Sequence, residues 1–241
     1  DTVTVDLVAD YLREREKGPL VALAFFDDNG ATFGGLSGLW NALVGGPSGQ
    51  TISSDFITGD PFTSYATGPN VNNLDAYGLG MTVNWDINDN LSLKSITAYR
   101  EMEAVFGSDT DASPLAYTET EQLQNQNQIS QEIQLLGTSF DDKLEWVLGA
   151  FYFDEFGRDV NDVNMASGLF DGLEGIPGPL DGSPLDAPTA PGGPGNPINL
   201  ALDLEFNVFN EIDMKSYAAF TQGTLNVSDK LRLTGGARLS H

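Results

Sequence analysis

Residues 77 to 100 restrict the folds open to this chain more than any other stretch. Tyr77, Leu79, Met81, Val83, Trp85 and Ile87 lie on one side of a period-two alternation, with Gly78, Gly80, Thr82, Asn84 and Asp86 on the other. A second run sets Leu91, Leu93, Ser95, Thr97 and Tyr99 against Ser92, Lys94, Ile96, Ala98 and Arg100. Successive side chains leave a strand on opposite faces, so period two predicts strands rather than helices. Asn88, Asp89 and Asn90 are turn formers, and the two runs therefore make a hairpin. Strands of soluble sandwiches average about five or six residues, and these runs are about twice as long.

The alternation recurs along the chain. In residues 2 to 16, Val3, Val5, Leu7, Ala9 and Tyr11 oppose Thr4, Asp6, Val8 and Asp10. "QISQEIQLLGTSFDDKLEWVLGAFYFDEFGRD" reads as strand, turn at Thr138 to Asp142, and strand, and "KSYAAFTQGTLNVSDKLRLTGGARLSH" as a hairpin turned at Ser228 to Lys230. Seven strands result, and their connections run long (about 17–74), short, medium (about 107–124), short, long (about 159–211), short. Short turns alternating with longer loops are the rhythm of an up-and-down transmembrane barrel. Each strand then shows one face to lipid and one to the lumen. Leu231, Leu233, Ala237 and Leu239 are expected to face lipid, and Arg232, Thr234, Arg238 and Ser240 water. Tyr217, Leu225 and Val227 likewise oppose Ser216, Gln222, Thr224 and Asn226. Tyr11, Tyr77, Trp85, Tyr99, Trp146, Tyr152 and Tyr217, near strand ends, suit aromatic girdles. A soluble two-sheet protein uses the same alternation to separate core from solvent, but strand length and loop rhythm favour the membrane.

Composition removes several function classes. The 241 residues include no Cys and a single His, His241, and carry a formal net charge of -24. Such a charge opposes nucleic-acid binding, which needs a basic face. Without Cys there is no disulfide framework or thiolate metal site. No apolar stretch approaches the roughly 18 residues of a membrane helix, and "DTVTVDLVAD" lacks the basic and apolar regions of a signal peptide. A lone terminal His leaves no centre for a Ser-His-Asp or His-Glu metalloprotease arrangement, and no phosphate-binding Gly-rich loop occurs. Asp86-x-Asn88-x-Asn90 resembles the start of a calcium loop, yet Leu91 stands where Gly is needed and Thr97 where the bidentate acid belongs. Asp27-Asp28, Asp109-x-Asp111 and Asp141-Asp142 are expected to be solvated acids of turns and loops. No enzymatic activity, cofactor or resident metal is expected.

"LSLKSITAYRE", "QISQEIQLLG", "LEWVLGAFYFDE" and "SYAAFTQGTLNVSDKLRLTGGARLS" together resemble the barrel of a TonB-dependent outer-membrane receptor. The resemblance spans roughly residues 75–158 and 212–241, residues 1–16 are compatible with it, and the two long loops are left unconstrained. It implies an all-β, antiparallel up-and-down transmembrane barrel in a Gram-negative outer membrane, with 22 strands around a plugged lumen. At about 34 residues per strand (241 over seven), such a barrel needs on the order of 750 residues. The sequence is therefore expected to be an internal barrel segment of a longer receptor, with no plug domain among residues 1–241. Implied partners are outer-membrane lipid, a small-molecule or oligosaccharide ligand, and an inner-membrane energy-coupling protein acting through a plug.

Binding groups are expected in the loops, because a barrel scaffold presents them there. No Lys or Arg occurs from Gly18 to Leu93 or from Asp159 to Met214, so a loop-bound ligand meets a negative field. The first long loop carries Phe25, Phe26, Phe33, Trp40, Phe56, Phe62 and Tyr65. Of these, Trp40, Phe56, Phe62 and Tyr65 are candidates to stack on a sugar ring or planar chelate, although the same rings also suit a small core of the loop itself. Arg100 and Arg158 are candidate lumen contacts to a solute or plug, or members of salt-bridge ladders bracing the wall. Residues 172–197, about half Gly and Pro, are expected to form an extended surface loop that buries no core. Two functions follow: uptake of a scarce nutrient such as a ferric siderophore, vitamin or oligosaccharide, or a structural and adhesive surface role with acidic, calcium-binding loops.

Overall fold

The computed structural model describes residues 2–27, 35–228 and 230–241. Seven strands pair antiparallel in chain order as one sheet: β1 (Thr2–Glu16), β2 (Asn70–Asn88), β3 (Leu91–Asp109), β4 (Thr118–Ser139), β5 (Leu144–Met165), β6 (Glu205–Ser228) and β7 (Leu231–Ser240). The sheet is open, with β1 and β7 at its edges. Register slips only beside the turns, between Asp86 and Asn88 and between Asn226 and Ser228, so each strand keeps its side chains on fixed faces.

One cross-strand row reads Val5, Val83, Ser95, Ile133, Ala150, Ala219, Leu239, and its neighbour on the other face reads Asp6, Thr82, Ile96, Glu132, Phe151, Ala218, Ser240. The first is the outer, lipid-side face expected from the alternation. Its apolar side chains have nothing packed over them; Leu7 is 75 % and Leu239 80 % exposed. The second is the inner face. Near the short turns it frames a cavity of ≈650 Å³ lined by Asp86, Ser92, Glu145, Val147, Gln222 and Thr224 among others. Polar groups on the outer face satisfy one another, since Thr97 donates to Gln131 Oε1 at 2.6 Å and Gln131 Nε2 donates to Ser95 at 2.9 Å.

The aromatic residues form two bands. Tyr11 pairs with Tyr77, Tyr99 lies one row lower, and Tyr152 pairs with Tyr217 a further row down. This regular descent is what strands tilted about 35–45° to a membrane normal produce when their tyrosines keep one height. Trp85 and Trp146 mark the opposite border. From Tyr77 to Trp85 the strand rises about 26 Å, or about 20 Å along the normal at that tilt. The long loops leave from the tyrosine side and the short turns from the tryptophan side.

Close approach requires glycine at Gly149 on the inner face. A Cβ built there lies 2.0 Å from Phe220 Cζ, and Phe220 is held beneath the Arg238 guanidinium, 5.8 Å from its ring centroid. Gly149→Leu is expected to destabilise the protein by about 1–3 kcal/mol. A Gly149→Leu/Phe220→Ala double variant should recover part of that loss in urea unfolding from detergent micelles. Strict additivity of the two changes would show that they do not meet.

All strands but β1 and β7 outrun the stretches whose alternation is readable. The first loop closes at residue 69 rather than 74, the medium connection shrinks to residues 110–117, and the second long loop spans 166–204. Beyond the tyrosine band polar residues such as Asn72, Asn73, Gln124 and Asn125 occupy both faces, and the hydropathy pattern fades. The backbone ladder continues without it.

Candidate functional site

The three tyrosine-side loops fold together into a cap. Trp40, Ile52, Leu115, Ala166, Leu169 and Leu173 form its buried core, with Phe26, Leu43, Phe56, Tyr117 and Leu202 packed around it. Short helices α1 (Leu36–Trp40) and α3 (Leu169–Glu174) supply Trp40, Leu169 and Leu173, and a π-helical turn at Asn41–Gly45 joins α1 to α2 (Gly46–Ser48). The Trp40 indole donates to Ser167 O at 2.8 Å and meets Tyr117 edge-on at 5.3 Å. Ala166 N donates to Tyr117 O at 2.6 Å, closing the contact among all three loops.

Residues 172–197 depart from the extended, coreless loop expected of them. Leu173 and Asn199 are fully buried and Asn196 nearly so. Proline has no N–H to make a ladder, so the carbonyls here need side-chain donors. Asn196 Nδ2 supplies Ala190 O and Gly192 O, while Asn199 supplies Gly193 O and Glu174 and accepts from Gly192 N at 2.7 Å. Gly193, at φ 93°, passes so close to Gly178 that a Cβ would lie 2.9 Å from its Cα. The Gly195 N–H and then the Asn199 amide hold the Glu174 carboxyl below its ordinary range. The Ser183 and Thr189 hydroxyls bring Asp181 down to about 2. Both carboxylates thus support the folded loop above their unfolded pKa, and that support is lost as pH falls through the lowered values.

Asp109 and Asp111 are buried and not solvated as expected. Asp109 Oδ2 accepts the N–H groups of Thr67 and Gly68 at 2.9 and 3.0 Å, and its Oδ1 that of Ala112 at 3.0 Å. Asp111 accepts from Ser113 N and Thr118 N, while burial pushes its carboxyl up. Their lone pairs serve the backbone instead of an ion. Among the described residues no group of three or more acidic, His or Cys side chains is placed to hold a metal. Asp109→Ala is expected to leave three N–H groups without partners and free the end of the first loop. Trypsin has no site in residues 18–93, so chymotrypsin cleavage at Tyr65 is the readout; unchanged cleavage would mean that Asp109 does not anchor the loop.

The candidate binding residues fall at separate stations. Trp40 is 5 % exposed and belongs to the cap core. Phe56 packs against that core with its ring 5.8 Å from Tyr65, which is half exposed, and Phe62 is 85 % exposed on a turn held by Asp60. Phe33 and Asp28 lie outside the described residues. Arg100 points to the inner face and pairs with Asp10 at 3.2 Å. Arg158, expected in the lumen, instead shares the outer face with Tyr152: it pairs with Glu211 at 3.8 Å and sits over Phe209. The cause is parity, because β5 places even-numbered residues outward over its whole length.

Arg13, Arg15 and Lys215 join Arg158 on the outer face just beyond the tyrosines. Arg13 and Arg15 pair with Asp75, and Lys215 with Asp154 at 3.8 Å. Three girdle hydroxyls donate into the same zone, Tyr11 to Asp75, Tyr99 to Glu101 and Tyr152 to Asp154. The inner face at this height is different. Glu16, Asn72, Phe106, Gln122, Asn161 and Val208 form one cross-strand row, and Glu14, Leu74, Ala104, Gln124, Asp159 and Asn210 the next. Asp159 accepts from Gln122 and Asn161 at 2.7 Å each and from Asn210 at 3.4 Å. This amide wall was missed in the sequence, although Gln122, Gln124, Gln126 and Gln128 recur at period two inside a stretch assigned partly to a loop.

A family model for the TonB dependent receptor-like, beta-barrel matches residues 21–241. The crystal structure of the ferric yersiniabactin uptake receptor FyuA from Yersinia pestis is similar, at 12 % identity and a TM-score of 0.48, over 74 % of this chain and 22 % of that one. The chain thus spans about a fifth of that receptor's length. No curated protein matches it by sequence. The two-faced meander of strands, banded by aromatic residues and carrying its long loops at one border, is in keeping with the family match, and the chain belongs to the TonB dependent receptor-like β-barrel family.

Proposed function

We propose that these residues are one wall and three extracellular loops of an outer-membrane receptor that takes up a scarce nutrient into a Gram-negative cell. The observation that carries this reading is the division of the sheet. An apolar outer face between tyrosine and tryptophan bands suits lipid, and the polar inner face beneath a folded cap suits a solute. Ligand binding at the cap side and coupling to an inner-membrane energy source through a plug are the family's general mode of action. In that mode differential binding and movement, not covalent chemistry, perform the work.

The test is growth of a deletion strain under single limitation for iron, cobalamin or a glycan carbon source. A defect confined to one limitation, equal to that of a strain lacking the energy-coupling protein and not additive with it, is the expected result. Normal growth under every limitation, combined with calcium-dependent surface assembly that a chelator abolishes, would replace uptake by the adhesive role.

A further inference from the structure

We infer that the extracellular end of the inner wall is a recognition surface for a neutral, polyhydroxylated ligand, a carbohydrate, centred on the row Asn72, Phe106, Gln122 and Asn161. The inference rests on the uptake reading above and names its substrate class. A cavity of ≈430 Å³ opens at this row, lined by Asn72, Phe106, Ser108, Thr120, Gln122 and Asn161, by the acidic residues Glu121 and Asp162, and by the Gly18–Pro19 segment. That volume lies within the range of about 300–1,000 Å³ typical of small-molecule sites.

The charge of this wall opposes anionic ligands. No described cation lines the cavity. The nearest inner-face cation on its strands is Arg100, three rows below Phe106 on β3, or about 20 Å along the strand, and already paired with Asp10. Arg13, Arg15, Arg158 and Lys215 lie at similar height, but all four project from the outer face. A ferric chelate bearing several negative charges would meet Glu121 and Asp162 in the lining and Asp159 in the next row, with exposed Lys17, which adjoins Gly18, the one basic residue next to the lining in sequence, a juxtaposition that opposes binding.

The amide geometry suits hydroxyl groups. Ionised Asp159 only accepts hydrogen bonds, so Gln122, Asn161 and Asn210 must turn their NH₂ groups toward it. Their orientation is thereby fixed, and each retains a carbonyl oxygen and a second N–H for another partner. A sugar hydroxyl both donates and accepts and so matches such a pair. With three amides on its oxygens, Asp159 acts as the organiser of the wall and is already engaged, which disfavours capture of a cation. Phe106 sits between Asn72 and Gln122 with 37 % of its surface exposed, offering a ring face to the C–H face of a pyranose.

The experiment uses the full receptor chain purified in detergent, with labelled neutral oligosaccharides of glucan, xylan and mannan as probes. Two rivals are a ferric tris-catecholate and trilysine. At least one neutral oligosaccharide is expected to bind with little dependence on salt. Phe106→Ala and Gln122→Ala should each weaken that binding about tenfold or more, and Phe106→Tyr should retain it. Heat-modifiable migration of each variant on a gel verifies that the barrel is folded. Absence of binding to all three glycans would overturn the inference. So would selective binding of the ferric chelate, salt-sensitive binding of trilysine, or glycan binding indifferent to both alanine variants. Energy-coupled accumulation of the ferric chelate without glycan binding would sink this site and leave uptake standing. Glycan binding without energy-coupled accumulation would do the reverse.

Discussion

Replacing Trp40 by Ala is expected to cost the loop cap about 3–5 kcal/mol, the range for deleting a buried aromatic side chain. Trp40 is 5 % exposed, and its indole joins the first loop to the third (residues 166–204) through Ser167 O and to the second (residues 110–117) through Tyr117. The substitution removes packing and leaves Ser167 O without its donor, and no neighbouring element can refill the space without breaking those links. Hydrogen exchange should therefore accelerate together over residues 36–56, 110–117 and 166–202, while the strands between the aromatic bands remain protected. Phe62→Ala is the matched control. Phe62 is 85 % exposed, and its loss should change stability by no more than about 0.5 kcal/mol. If exchange rose only around residue 40, the loops would be independent and the shared core an incorrect description. If Phe62→Ala loosened the cap as much as Trp40→Ala, the distinction between core and display aromatics would fail.

That contrast shows where the sequence is legible. Alternation identified all seven strands, because a sheet wet on one face and greasy on the other writes its geometry directly into residues such as Tyr77 to Ile87. It lost the strand ends beyond the tyrosines, where Asn70 to Asn73 and Thr118 to Asn127 carry polar residues on both faces. The aromatic residues of the first loop were found, but not their sorting into buried Trp40 and exposed Phe62, which depends on partners more than a hundred residues away. Residues 172–197 looked coreless by composition. Two buried asparagines, Asn196 and Asn199, provide the hydrogen bonds that proline removes, and a spacing of three residues is too weak a signal to announce this. Arg158 was misplaced because its face follows from carrying the parity of Ala150 and Tyr152 to the end of β5, where Arg158 was taken as the start of a loop. Asp109 and Asp111 read as two more acids in a chain with 35, until the backbone amides around them are seen.

Ile133 tests the division of the sheet most directly. It lies midway between the aromatic bands on β4, in the row of Val83 and Ala150, and is 46 % exposed with no side chain packed over it. Ile133→Arg places a guanidinium at the centre of the apolar belt, where a cation costs about 2–4 kcal/mol. Ile133 has no ready escape, because either water border is several residues away along the strand. Gln134, the next residue, faces inward beside Lys94 and opposite Gly149, so Gln134→Arg adds the same charge to a wall already built of polar groups. The first variant is expected to lose most heat-modifiable, membrane-assembled protein and the second to assemble nearly normally. Equal assembly of the two would reverse or abolish the face assignment. The amide wall around Gln122 and Asp159 would then lose its claim to the lumen, since the same parity places both.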